Sequence, residues 1–220
     1  MALLNTPQIA PSVLSADFTQ LGNQVISLDD AGCKVLHIDV MDGHYVPNIS
    51  FGPLLLKAIR NITKMELEAH LMISNPDDYL EQFVKSGADI VLVHPSTCKS
   101  VSDTLQRIHD LGVKAGLVVN PDEKLSLVSP YLKYMDQLLI MSVYPGFGGQ
   151  SFISDVLDDL PDHLPQLEES NVIIEIDGGI NHLTLPTIKG AGIDRYVAGS
   201  AVFNKIAPPN TNFLHLQSLL

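Results

Sequence analysis

The chain has 220 residues and carries 13 Lys and Arg against 25 Asp and Glu, a formal net charge of −12. So negative a surface repels phosphodiester backbones and anionic bilayers, which argues against nucleic-acid and membrane partners. A composition that is 45% hydrophobic and only 17% charged excludes a disordered chain, and the length predicts a single domain over residues 1–220.

The opening residues 1–12 have no basic region, Pro7 and Pro11 interrupt their apolar stretch, and no later run nears the ~18 residues of a membrane span. Cys33 and Cys98 lie far apart and form no metal-binding or redox pair. A cytoplasmic protein with two reduced thiols is the expectation. From there, short runs rich in Val, Ile and Leu alternate with longer amphipathic ones. Strands are predicted at residues 8–14, 35–40, 66–72, 89–94, 114–119, 137–143, 172–177 and 194–198. Helices are predicted at 17–30, 53–60, 76–86, 100–111, near 123–128, at 155–169 and at 183–189, with at most a terminal helix beyond Ala207.

Strands apolar on both faces belong in a parallel sheet covered by helices. Eight βα units in one chain predict an α/β fold, a single (β/α)8 barrel. The competing doubly wound sheet carries a glycine fingerprint after its first strand, whereas Ser12-Val13-Leu14-Ser15-Ala16-Asp17 contains no glycine.

In such a barrel, the C-terminal strand ends and the loops after them carry the chemistry. In the second strand His37 and Asp39 are two apart and so share one face. The third strand ends near His70 and the seventh in Asp177. A lone His or Asp at a strand end is usually a hydrogen-bonded turn residue. Two His and two Asp converging, with no Lys or Arg on those strands to offset the carboxylates, suggest ligands of a divalent metal. His94 is an alternative ligand or a polar wall, and His44 is ambiguous.

Glycine clusters follow the last three strands, at Gly146-Phe147-Gly148-Gly149, at Gly178-Gly179 and at Gly199-Ser200. One glycine pair only makes a turn, but three clusters in successive loops can wrap backbone amides around a phosphate. Met41, Met72 and Met141 fall at or just past strand ends, as core filler or as an apolar cover for substrate. No lysine lies at a C-terminal strand end, which disfavours a Schiff-base aldolase.

The segments Ala10-Pro11-Ser12-Val13-Leu14-Ser15-Ala16-Asp17-Phe18, His37-Ile38-Asp39-Val40-Met41-Asp42-Gly43-His44-Tyr45-Val46-Pro47-Asn48, His70-Leu71-Met72, Pro145-Gly146-Phe147-Gly148-Gly149-Gln150 and Asp177-Gly178-Gly179-Ile180 resemble, in order, the ribulose-phosphate 3-epimerase family. The resemblance implies a barrel that binds one divalent metal, such as Zn, Fe(II), Mn or Co. It also implies interconversion of ribulose 5-phosphate and xylulose 5-phosphate in the pentose phosphate pathway. By position, His37, Asp39, His70 and Asp177 would bind the metal, and Asp39 and Asp177 would double as the acid/base pair. Ser12, His70 and Gly178 would meet the substrate, and Met41, Met72 and Met141, by their place at the strand ends, would cover it. Gly146, Phe147, Gly148, Gly149, Gly179, Gly199 and Ser200 would hold its phosphate. Family relatives assemble, so a homo-oligomer is expected.

Two segments depart from the family pattern, namely His94-Pro95-Ser96-Thr97, where His-x-Glu is usual, and Tyr144 before Pro145. They leave a ketohexose 6-phosphate (allulose 6-phosphate) epimerase as the alternative. A metal-dependent hydrolase would need more ligands than these, and a non-catalytic phosphosugar-binding barrel would not need all four.

Overall fold

The computed structural model describes residues 6–220; residues 1–5, part of the stretch read above for a targeting signal, lie outside the described residues. Eight strands run parallel: β1 (Gln8–Pro11), β2 (Val35–Met41), β3 (Glu66–Met72), β4 (Ile90–Val93), β5 (Lys114–Val119), β6 (Gln137–Met141), β7 (Ile173–Asp177) and β8 (Arg195–Ala198). Their order is β1-β8-β7-β6-β5-β4-β3-β2, and a parallel bridge between Ser12 and His37 joins the two outermost strands. The sheet thus curls round into the expected (β/α)8 barrel.

Seven α-helices are described: α1 (Leu21–Asp30), α2 (Pro53–Arg60), α3 (Leu80–Lys85), α4 (Val101–Asp110), α5 (Leu160–Glu169), α6 (Leu185–Ile188) and α7 (Pro209–Gln217). Several elements are shorter than the sequence pattern suggests. β1 stops at Pro11, and Ser12 accepts a 3.3 Å bond from the Leu14 amide, starting a 3-10 turn over Val13–Ser15. Asp17 accepts from the amide and hydroxyl of Thr19, at 2.9 and 2.6 Å, holding a turn ahead of α1. Between β5 and β6 the chain forms only 3-10 turns, Leu125–Leu127 and Ser129–Tyr134; Pro130 disfavours the α conformation at Ser129. The terminal segment is ordered as α7. Its Gln217 accepts from the Ile9 amide at 3.0 Å and donates to the Pro7 carbonyl at 2.9 Å, tying the chain end to the start of β1.

Strand alternation divides the interior into two regions. Leu36, Ile38 and Val40 of β2, Leu67, Ala69 and Leu71 of β3, and Ile174 and Ile176 of β7 join the main core between barrel and helices. Their neighbours in sequence fill the barrel. Toward β4, β5 and β6 that filling is apolar, built from Ile90, Leu92, Val118, Leu139 and Met141. Toward β2, β3, β7 and β8 it is polar: His37, Asp39, Glu68, His70, Glu175 and Arg195 are all buried. No helix among the described residues is long and apolar enough to cross a membrane.

Candidate active site

The register between β2 and β3 sets Asp39 beside His70 and His37 beside Glu68, while Asp177 comes from β7 across the barrel mouth. His37 Nε2, Asp39 Oδ1 and His70 Nδ1 stand 3.3 Å from one another, and Asp177 Oδ2 lies 3.8 Å from His37 Nε2. Each of the four predicted residues offers one ligand atom, all within 4.8 Å of one another. Two imidazole nitrogens and two carboxylate oxygens converging in a buried pocket suit a divalent cation of borderline softness. The structure therefore brings the four together.

Each converging group is held at its other atom. Ser12 Oγ donates to Asp39 Oδ2 at 2.6 Å. His37 Nδ1 meets Glu68 Oε1 at 2.6 Å, and His70 Nε2 meets His94 Nε2 at 2.9 Å, the two rings stacked with centroids 5.1 Å apart. With the Nδ1 lone pair of His70 facing the cluster, its Nε2–H donates to His94. His94 thus stands behind a cluster residue, as a wall. His44 stays outside, its Nδ1 bonded to the Asp42 carbonyl at 3.0 Å.

Electrostatics separate the two aspartates. Burial pushes Asp177 up, and the charge of Asp39 adds to this, to about 7. Burial also opposes charge on Asp39, but His37 beside it, then His70, hold its carboxyl well below the usual range. His37 is raised: burial disfavours its charge, yet Asp39 and Glu68 outweigh that. His94 is lowered by burial and by His70, so it stays neutral. At neutral pH the pair comprises one ionised carboxylate and one that readily carries a proton.

Above the cluster opens a pocket lined by Ser12, Asp39, Met41, Met72, Met141 and Asp177 at its floor and by the loops after β6, β7 and β8 at its rim. Gly146, Phe147, Gly148, Gly149, Gly178, Gly179, Gly199 and Ser200 all face it, as do Ser15 and Asn181, which sequence reasoning did not single out. His37 and His70 lie beneath this surface, fully buried. The glycines of the seventh loop are forced by geometry. Gly178 and Gly179 have φ of +126° and +66°, and a Cβ on Gly179 would meet the Phe152 amide nitrogen at 2.6 Å. No α-helix starts in the loop after β8, which runs as turns from Gly199 toward α7; amide donors there belong to the loop itself.

A counter-charge absent from the strands of Asp39 and Asp177 is supplied by β8. Arg195 is 1% exposed, donates to Glu66 at 2.5 Å and to the Gln137 carbonyl at 3.2 Å, and lies 3.6 Å from Glu68. The signal for this network was present in the strand period: Glu68 and Glu175 precede His70 and Asp177 by two residues and so share their inward face.

A family model described as the ribulose-phosphate 3 epimerase family matches residues 8–203. The chain is 44% identical over 201 residues to ribulose-phosphate 3-epimerase of Bacillus subtilis, covering 90% of this chain and 93% of that protein. It is 47% identical over 200 residues to the protein of the same name from Synechocystis, covering 89% and 87%. Among solved structures, 3-hexulose-6-phosphate synthase from Salmonella typhimurium superposes with a TM-score of 0.70 over 97% of this chain and 98% of that one. At 19% identity that likeness speaks to the barrel alone.

Proposed function

The chain belongs to the ribulose-phosphate 3-epimerase family, and on that premise we propose that it inverts C3 of D-ribulose 5-phosphate to give D-xylulose 5-phosphate. The observation that carries this reading is the pair Asp39 and Asp177, set on different strands and meeting over His37 with unlike proton affinities. Inverting a carbon beside a ketone requires removing its proton on one face and returning one on the other. Asp39, held as a carboxylate, takes the C3 proton, and Asp177, which readily carries a proton, delivers one from the opposite side. In the reverse direction they exchange roles. His37, Asp39, His70 and Asp177 would hold one divalent cation (Zn, Fe(II), Mn or Co), whose chemistry is that of a Lewis acid drawing electron density from the ketone.

The remaining residues bind and shield. Ser12 orients Asp39 from β1. Met41, Met72 and Met141, each at most 3% exposed, cover the reacting carbon with apolar surface and keep water from it. The amides of Gly146 to Gly149, Gly178 and Gly179, and Gly199 and Ser200 receive the phosphate. A phosphorylated sugar is thus the partner, held by backbone amides in a pocket that has no lysine or arginine in its lining. Solvent deuterium entering substrate C3, and ceasing when a chelator is added, is the expected result. Absence of exchange with ribulose 5-phosphate, alongside exchange with allulose 6-phosphate, would move the assignment to the hexose substrate.

A further inference from the structure

The cluster at the barrel mouth is backed by a polar chain with a defined direction. His37 Nδ1 lies 2.6 Å from Glu68 Oε1. The other oxygen of that carboxylate accepts from Gln137 Nε2. The carbonyl of the same Gln137 amide accepts from Arg195 Nη1 at 3.2 Å. Arg195 can only donate, so the Gln137 amide must turn its oxygen to the guanidinium and its NH2 to Glu68. Arg195 Nη1 also lies 3.6 Å from Glu68 Oε2, a charge that favours the ionised carboxylate; Glu68 then accepts at both oxygens, which leaves His37 to donate through Nδ1–H. Every one of these side chains is buried, at 0 or 1% exposure, so water cannot substitute for a lost partner.

We propose that Glu68 is a positioning residue of the metal-binding cluster: it fixes the Nδ1–H tautomer of His37, leaving the Nε2 lone pair facing Asp39, His70 and Asp177, with Gln137 and Arg195 holding it in that setting from the barrel interior. This rests on the reading of those four residues as a metal site. The asymmetry of the cluster supports it. His70 is backed by neutral His94 through its Nε2, whereas His37 alone is backed by a carboxylate. A carboxylate behind a ligating imidazole fixes ring orientation and strengthens the ring as a donor, and loss of such a partner lowers metal affinity roughly 10- to 100-fold.

The test is zinc affinity of the full chain, measured by competition with a chromophoric chelator. Glu68→Gln keeps the shape but turns an NH2 either against the Gln137 NH2 or toward His37. Zinc affinity is therefore expected to fall roughly 10- to 100-fold, with near-UV circular dichroism unchanged. The exchanged pair, Glu68→Gln with Gln137→Glu, restores an acceptor for His37 and a donor-to-acceptor match behind it; since it also removes the 2.7 Å bond from Gln137 Nε2 to Glu175, it should recover part of the loss. A residue of merely structural importance would show no such rescue. A Glu68→Gln protein binding zinc within twofold of the parent overturns the proposal. Nitrogen-15 histidine spectra of zinc-loaded parent protein need no variant to fold. They should place the His37 proton on Nδ1, and finding it on Nε2 overturns the proposal equally. Parent and His37→Ala proteins that both fail to bind zinc would instead refute the metal reading itself, and the inference with it.

Discussion

Ser12 Oγ donates a 2.6 Å hydrogen bond to Asp39 Oδ2, while Asp39 Oδ1 stands 3.3 Å from both His37 Nε2 and His70 Nδ1. The two oxygens of one carboxylate thus have different tasks, and a hydroxyl from the neighbouring end of the barrel decides which faces which way. Ser12→Ala leaves the carboxylate buried with one oxygen unpartnered and free to rotate. A hydrogen bond to a charged group contributes about 1.5–3 kcal/mol, so turnover of the metal-loaded variant should fall about 10- to 100-fold. The affinity for inorganic phosphate should not move, since the loops that receive it are on other strands. Steady-state kcat measures this, and a kcat equal to the parent would mean that Asp39 is oriented without Ser12.

Much of this site could be read from spacing alone. His37 and Asp39 sit two apart on an otherwise apolar strand, and a period of two sends them to the same face. His70 and Asp177 end their strands, where this barrel keeps its chemistry. The glycine clusters were legible because three loops repeat them. The polar layer beneath was not, because its meaning depends on register. Glu68 pairs laterally with His37, and Glu175 with Arg195, and pairing between strands is invisible until the sheet closes. A charged residue such as Arg195 at the start of a strand reads as the solvated rim of the barrel. The structure instead buries it against Glu66, Gln137 and Glu68. Helix boundaries differ for a simpler reason: 3-10 turns at Pro76–Asp78 and Ser154–Leu157, and the turn held by Asp17, precede the α-helices without altering the apolar period.

The proton affinity of Asp177 gives a pH dependence with a fixed sign. In the metal-free protein, burial and Asp39 raise it from an ordinary 3.8 to about 7. The folded state therefore holds this proton more tightly than the unfolded state. Its contribution to stability is complete below pH 3.8 and is lost as pH rises through about 7. Asp177→Asn, which stays neutral, removes that dependence. Urea denaturation of the metal-free proteins should show the parent losing stability relative to Asp177→Asn across this interval, by a few kcal/mol at most. Parallel stability curves would mean that Asp177 is ionised in the folded protein throughout. The same variant should abolish turnover while sparing phosphate binding.

The loop after β7 supplies a separate test of the phosphate reading. Gly179 has φ of +66°, and an added Cβ would strike the backbone of Phe152 at 2.6 to 2.8 Å. Gly179→Ala must therefore displace either its own loop, which lines the pocket rim, or the segment at Phe152, two residues beyond the rim residue Gln150. The expected outcome is a rise in KM of about tenfold, matching about 1–1.5 kcal/mol of lost hydrogen bonding, with a smaller change in kcat. Inhibition by inorganic phosphate should weaken in step. A variant with raised KM but unchanged phosphate inhibition would assign the loop to the sugar and not to its phosphate.

A net charge of −12 and a phosphorylated substrate are compatible only if the attraction is local. No lysine or arginine lines the pocket, whereas Asp39 and Asp177 both do. A dianionic phosphosugar entering metal-free protein thus meets two carboxyl groups at the floor and only backbone amides at the rim. Amide loops carry fixed partial positive charge but no net charge. A divalent cation held by the four-residue cluster would offset the charge of both carboxylates, and charge interactions at such separations are worth several kcal/mol in a partly buried site. Metal-loaded protein should therefore bind ribulose 5-phosphate at least about tenfold more tightly than chelated protein, since a tenfold ratio needs only about 1.4 kcal/mol. Inorganic phosphate, which reaches only the rim, should show a much smaller difference. Calorimetric titration of both ligands into both forms measures the two ratios. Equal sugar-phosphate affinities in the presence and absence of metal would assign the whole attraction to the glycine-rich loops.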